Sequence, residues 1–257
     1  MMLPSGVAEI VLALAGLCIG SFLNVCIYRI PRRESLNWPP SHCTACQRPL
    51  AWFENVPVVA WLALRGRCRT CGAPISPIYP IVELTTAAVF AGAVIAYGLT
   101  PLLAVRLAFA CALIVLFVID LQQGILPNVI TLPGIVAGFV ASLFLPPGWL
   151  SSLIGILAGG GVLFAIAEVY YRTRGVEGLG MGDVKMLAMI GAFLGWPLML
   201  LTLVLASFAG SVVGVGLLAS RRGGLQAALP FGTFLALGAI VAAVAGDSIL
   251  AWYLSFY

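Results

Sequence analysis

This sequence describes an all-α polytopic membrane protein with about eight transmembrane helices and a small zinc-ribbon-like cytoplasmic insert. Three observations lead there. Of the 257 residues, 62% are apolar and only 9% are charged, more apolar sequence than a soluble core of this length requires. Apolar runs of near-span length recur at roughly 7–29, 80–98, 101–119, 129–146, 151–171, 184–195, 198–219 and 230–254. The basic residues then fall almost entirely on one side of the threaded chain.

Taken in order, the first run carries no Lys or Arg before it, and Arg29, Arg32 and Arg33 follow it. That pattern suits an uncleaved anchor rather than a signal peptide. Arg48, Arg65, Arg67 and Arg69 continue the basic stretch; Arg172, Arg174 and Lys185 flank the link after the fifth span, and Arg221 and Arg222 follow the seventh. With eight spans all of these share one face, the cytoplasmic one, and both termini face outward. Arg106 alone lies elsewhere, in the third span near its outer end, from where it can snorkel. The sixth span is short and ends at the Gly195-Trp196-Pro197 break. Three parts result: a first span over 1–30, a cytoplasmic tetracysteine domain over 31–79, and a membrane-embedded domain over 80–257.

Within 31–79 the composition changes. Cys43, Cys46, Cys68 and Cys71 form two C-x2-C pairs separated by twenty-one residues. Such pairs suit a tetrahedral thiolate site for Zn²⁺, with a spacer slightly above the usual ribbon range. So short a segment builds little core alone, so a metal staple has a physical purpose. The other reading is a set of redox dithiols or disulfides, which a reducing cytoplasm disfavours. Four protein ligands leave no open position, so the metal would be structural, with the nearby arginines offsetting its thiolates. Cys18, Cys26 and Cys111 read as apolar filler, and His42, the single histidine, as a solvated bystander.

Two aspartates carry the chemistry. Asp120 closes the run 113–119, and Asp183 ends Gly180-Met181-Gly182-Asp183 and opens the next apolar run. Ionisable groups at such depth mark function by default. Brought together, two carboxyls share one proton, so that one activates water while the other polarises a peptide carbonyl, the chemistry of an aspartic protease. Asp183 also suits a plain helix N-cap. Asp120 lies against the dipole of its own span and is harder to explain away. Gly180 and Gly182 leave room for a peptide backbone to approach. On the same dipole argument, with Lys185 close to Asp183, Asp183 is the ionised base and Asp120 the protonated acid. Glu34, Glu54 and Glu177 read as solvated loop residues, Glu9 and Asp247 as outer-face interfacial groups, and Glu83 and Glu168 as candidates for burial with a partner.

Ordered along the chain, several motifs resemble the type IV prepilin peptidases, a family of GxGD membrane aspartic proteases. They are Gly20-Ser-Phe-Leu-Asn-Val25 through Arg29-Ile-Pro31, the two Cys pairs with Asn55-Val-Pro57 and Leu64-Arg-Gly-Arg-Cys68, and Ser76-Pro-Ile-Tyr-Pro80 through Glu83. Further on come Asp120 through Leu126-Pro127-Asn128, Gly180-Met-Gly-Asp-Val-Lys185 and Pro230-Phe-Gly232. The resemblance implies a bifunctional enzyme of the bacterial inner membrane whose substrates are prepilins or type II secretion pseudopilins. It would remove their basic leader at the cytoplasmic face with Asp120 and Asp183, then N-methylate the new terminus with S-adenosylmethionine. Methylation belongs in this reading to the cysteine-bearing domain, with Gly66 the first place to separate it from cleavage. Gly180, Gly182, Lys185 and Glu83 would shape the site. After Asp120 this chain reads Leu-Gln-Gln-Gly where relatives often carry charges. Membrane lipid is an expected partner and nucleic acid is not.

Three rivals predict different things. A transporter places acids at mid-bilayer and repeats its halves. A zinc-ribbon scaffold tolerates Asp120→Asn. A presenilin-like intramembrane protease shares the aspartate chemistry but cuts within a span; the Cys-bearing insert favours the prepilin reading.

Overall fold

The computed structural model describes residues 5–175, 180–219 and 230–256, so Glu177, Arg221 and Arg222 lie outside the described residues. Among these residues the protein is all helical, apart from two isolated bridges, His42 with Pro49 and Arg67 with Pro74. It divides into two compact units, Met1–Val115 and Leu116–Tyr257.

The first unit contains α1 (Ser5–Arg29), a 3-10 turn (Trp52–Asn55), the short α2 (Val59–Ala63), α3 (Ile78–Tyr97) and the greater part of α4 (Pro101–Gln123). Small residues let α1 and α3 approach closely: a Cβ on Gly16 or on Gly20 would come within 2.7 Å of the Cα of Ala87 or of Glu83. One turn past Gly20, the Asn24 amide donates to the Tyr79 carbonyl at 3.0 Å. The first-span motif is thus the face of α1 that receives α3.

The second unit holds the end of α4 with α5 (Asn128–Ser142), α6 (Trp149–Arg174), α7 (Met181–Ala219) and α8 (Phe231–Leu254). Its centre is the first part of α7, where Met186, Leu187, Met189, Ile190 and Ala192 are fully buried. Helix α6 lies on it with backbone against backbone, the Gly155 and Gly191 peptides leaving no room for a Cβ on either side. Buried Ser152 donates to the Ala192 carbonyl at 2.8 Å across the same seam. Helix α7 is interrupted at Gly195 (φ 77, ψ 171), with Pro197 just beyond. That break separates the expected sixth and seventh spans, which the helical run otherwise joins.

Among the described residues six helices are long and apolar enough to cross a membrane, and Asn128–Ser142 is a shorter apolar helix. The protein is therefore a multi-pass membrane protein. With α7 counted as two pieces, the helical segments follow the eight expected spans in order.

Candidate active site and metal centre

Asp120 lies in the last turn of α4, and its carbonyl accepts the N–H of Gly124 at 2.8 Å. Its side chain, 4% exposed, points away from that helix end and meets the first turn of α8. There Oδ2 accepts two hydrogen bonds from Thr233, one from the backbone N–H at 2.7 Å and one from the hydroxyl at 3.0 Å. The Thr233 N–H lies in the first turn of α8 and is shared with the Pro230 carbonyl at 3.2 Å, so the positive end of α8 faces this carboxyl. A Cβ on Gly232 would stand 3.0 Å from Oδ2, so glycine is what lets the carboxyl seat against the helix start.

Asp183 is buried in the first turn of α7, where its N–H donates to the Gly180 carbonyl at 3.0 Å. The charge of Asp120 reaches it. Leu126 packs between the two motifs: a Cβ on Gly182 would come 2.9 Å from its Cβ, and one on Gly232 would come 2.8 Å from its Cδ1. A Cβ on Gly180 would lie 3.4 Å from Asp183 Oδ2. Glycines therefore line the approach to both carboxyls. Lys185 does not turn to Asp183; its Nζ donates to Asn128 Oδ1 at 2.9 Å, fastening α7 to the start of α5.

The dipole expectation for the proton meets a further contact in this geometry. It considered each aspartate on its own helix only, whereas Asp120 is capped by a second helix start 113 residues away. Oδ2 of Asp120 is thus engaged as an acceptor twice over, by donors that lie outside its own helix.

In the insert, Cys43, Cys46, Cys68 and Cys71 bring their four sulfurs within 4.8 Å of one another, a group able to hold a metal ion. The Cys43 and Cys71 sulfurs are 3.8 Å apart, as on the edge of a tetrahedron with metal–sulfur bonds of ~2.3 Å. Two matching knuckles present them. In each, the residue after the second cysteine takes a positive φ (Gln47 at 57, Gly72 at 71) and donates its N–H back to the first cysteine's carbonyl. N–H groups of Cys46 and Ala45 lower the Cys43 thiol, and those of Cys71 and Thr70 hold Cys68 down to about 6. Backbone donors thus favour the thiolate that metals bind.

Other acids depart from expectation. Glu54 is buried rather than solvated: Arg48 grips both oxygens at 2.7 and 3.0 Å, and the Ala51 N–H donates at 2.8 Å. The Arg48 bonds first, then that of Ala51, hold its carboxyl down to about 2. Glu168 is half-buried and pairs one turn on with Arg172 at 2.6 Å. Cys18 is exposed, while Cys26 is buried and Cys111 half-buried. Glu83 is buried on α3, where Oε2 accepts the Val58 N–H at 2.7 Å. Val58 holds a φ of 62, which a β-branched residue rarely adopts, so the carboxyl fixes a strained turn of the Asn55-Val-Pro57 segment. Gly66 has a φ of 64, and a Cβ there would meet the Trp61 ring at 2.9 Å.

Thr233 is the residue that sequence reasoning missed. Its signal was the Pro230-Phe-Gly232 motif directly before it, a proline and a glycine opening an apolar helix.

Two family profiles match the chain in succession, the bacterial peptidase A24 N-terminal domain over residues 14–97 and the type IV leader peptidase family over residues 107–215. A prepilin leader peptidase/N-methyltransferase of Aeromonas salmonicida (strain A449) is 38% identical over 274 residues, covering 94% of this chain and 92% of that protein. Proteins of the same description from Burkholderia pseudomallei (strain K96243) and Pseudomonas aeruginosa are 36% and 34% identical, over 92% and 95% of this chain and 85% and 92% of theirs. No solved structure matches significantly. With such identity sustained over nearly its whole length, the chain belongs to the type IV leader peptidase family.

Proposed function

We propose that this protein removes the leader peptide of prepilins or type II secretion pseudopilins and then N-methylates the exposed terminal residue. Asp120 and Asp183 carry the cleavage. The observation that supports this most is the capping of Asp120 by Thr233 while Asp183, within range of its charge, stands in a glycine-lined approach. Asp120 takes a proton from water, whose oxygen adds to the scissile carbonyl carbon, and Asp183 gives its proton to the carbonyl oxygen. Collapse of the tetrahedral adduct expels the new amine, which takes up a proton, so that one peptide and one water become two termini. Thr233 holds Asp120 in place, and Gly180, Gly182 and Gly232 admit the extended substrate backbone. Lys185 and Asn128 set the start of α7 against α5.

The cysteine cluster holds one structural zinc ion in this reading, since its sulfur spacing suits a tetrahedral centre and all four positions are filled by protein. Glu83 and Gly66 shape the insert around it. When bound, S-adenosylmethionine supplies a methyl carbon to the terminal amine; the carbon–sulfur bond breaks toward sulfur and one proton leaves the nitrogen. The one-sided basic residues support a cytoplasmic position, in a bacterial inner membrane, for the insert and both aspartates.

The test is incubation of the purified protein, in detergent or lipid, with a prepilin peptide and S-adenosylmethionine, followed by mass analysis. The expected result is two mass changes, loss of the leader and gain of one methyl. Absence of leader loss in wild type, or its persistence in Asp120→Asn, removes the peptidase reading.

A further inference from the structure

We propose that the cavity between the loop after α1 and the first cysteine knuckle binds the methyl donor, recognised as a cationic sulfonium nucleoside; this rests on the methyl-transfer reading above. The cavity has a volume of about 620 Å³, inside the ~300–1,000 Å³ span of small-molecule sites. Glu34, Ser35, Trp38, Pro39 and Pro40 line it from the loop, and Gln47 joins them from the knuckle.

The loop is built, not merely left over. Arg29, at the end of α1, is 5% exposed, and its guanidinium is directed to carbonyls. It donates to Ser35 at 2.8 Å, Leu36 at 3.3 Å, Pro39 at 2.6 Å and Pro40 at 3.5 Å. Three of those four residues line the cavity. A buried cation needs its donors satisfied, and here the satisfaction fixes the shape of one wall. The other wall is fixed by the knuckle, through the His42–Pro49 bridge and the Cys43 N–H to Arg48 carbonyl bond at 2.9 Å.

The lining suits the chemistry of the donor. Trp38 is 73% exposed, a free indole face on which an adenine can stack or a sulfonium can lie. The insert has two acids. Glu54 is bound by Arg48, whereas Glu34 is exposed with no ion pair among the described residues. In a segment rich in arginines, Glu34 is the group that offsets their repulsion of a positive ligand.

The test measures binding by calorimetry on the full-length protein in detergent. It uses S-adenosylmethionine and its neutral thioether product, S-adenosylhomocysteine. Glu34→Gln should weaken the sulfonium ligand about tenfold and the thioether much less, because only the former carries the charge. Trp38→Ala should weaken both about tenfold, since stacking does not depend on that charge. A loss of thermal stability common to both ligands cannot produce the charge-selective pattern. If both variants melt like wild type and bind both ligands as wild type does, the donor lies elsewhere and the assignment falls while methyl transfer stands. If wild type cleaves but neither binds the donor nor methylates, the methyl-transfer reading itself fails and takes this site with it.

Discussion

The tetracysteine insert and the α6–α7 seam are held by opposite means. In the insert, short turns, paired knuckles and a few charged contacts organise a segment with few buried side chains, and the Glu54–Arg48 pair stands where a core would be. In the second unit, glycines on facing helices bring backbones together and bury the first part of α7, with one serine hydrogen bond across the seam. The first arrangement depends on polar geometry and, in the proposed reading, on a bound ion. The second depends chiefly on close packing. The two should fail differently: the insert through its ligands and donors, the bundle through added atoms.

The largest effect expected is on the aspartates. Asp120→Asn or Asp183→Asn should each lower leader cleavage by at least ~10⁴-fold, because paired groups act as a unit, while zinc content and binding of the donor stay as in wild type. Mass analysis of cleavage alongside metal analysis checks this, and retained cleavage in either variant would break the assignment.

Next comes the staple. Cys43→Ser or Cys71→Ser should reduce bound zinc from one per chain toward none and abolish methylation, with cleavage falling far less. Equal loss of both activities would show that the insert and the aspartate site are energetically one body, contrary to the contrast drawn here.

Thr233→Val tests the cap on Asp120. Its hydroxyl donor is removed while the backbone N–H stays, so cleavage should fall by roughly 10–100-fold with methylation of a pre-cleaved peptide unchanged. A fall no larger than twofold would remove the hydroxyl from the mechanism.

The smallest effect concerns packing. Gly191→Val adds atoms where the Gly155 peptide already touches and should cost about 1–3 kcal/mol. The expected readout is a lower melting temperature of the bundle with the zinc site intact. An unshifted melt would mean that α6 can move away from α7 at little cost.

What could be read from sequence followed the range of the interactions. The four cysteines were legible because each pair sits in one turn, and the spans because apolar runs are local. The Gly195 break was legible as well, since a glycine followed by Trp196-Pro197 leaves little choice. Glu54 was misread because its burial depends on Arg48 and the Ala51 N–H folding back over it. The pairing expected of Glu168 was legible, since its partner Arg172 lies one helical turn on in the sequence. The cap on Asp120 was illegible for a longer-range reason: the helix start that supplies it comes from α8, and no property of α4 announces it.

The break at Gly195 has a geometric consequence for the lipid. At ~1.5 Å per residue the stretch 181–194 reaches only ~21 Å, and the 15 residues of α5 scarcely more. Both fall short of a hydrocarbon slab of ~30 Å. Tied together by Lys185 and Asn128, these two stubs cannot bring both of their ends to the headgroups. That part of α7 is buried by its neighbours, so the mismatch falls on exposed α5, where a thinned bilayer lets water in beside the Lys185–Asn128 tie. Water, which hydrolysis consumes, would then stand beside Asp183 without crossing an oily layer.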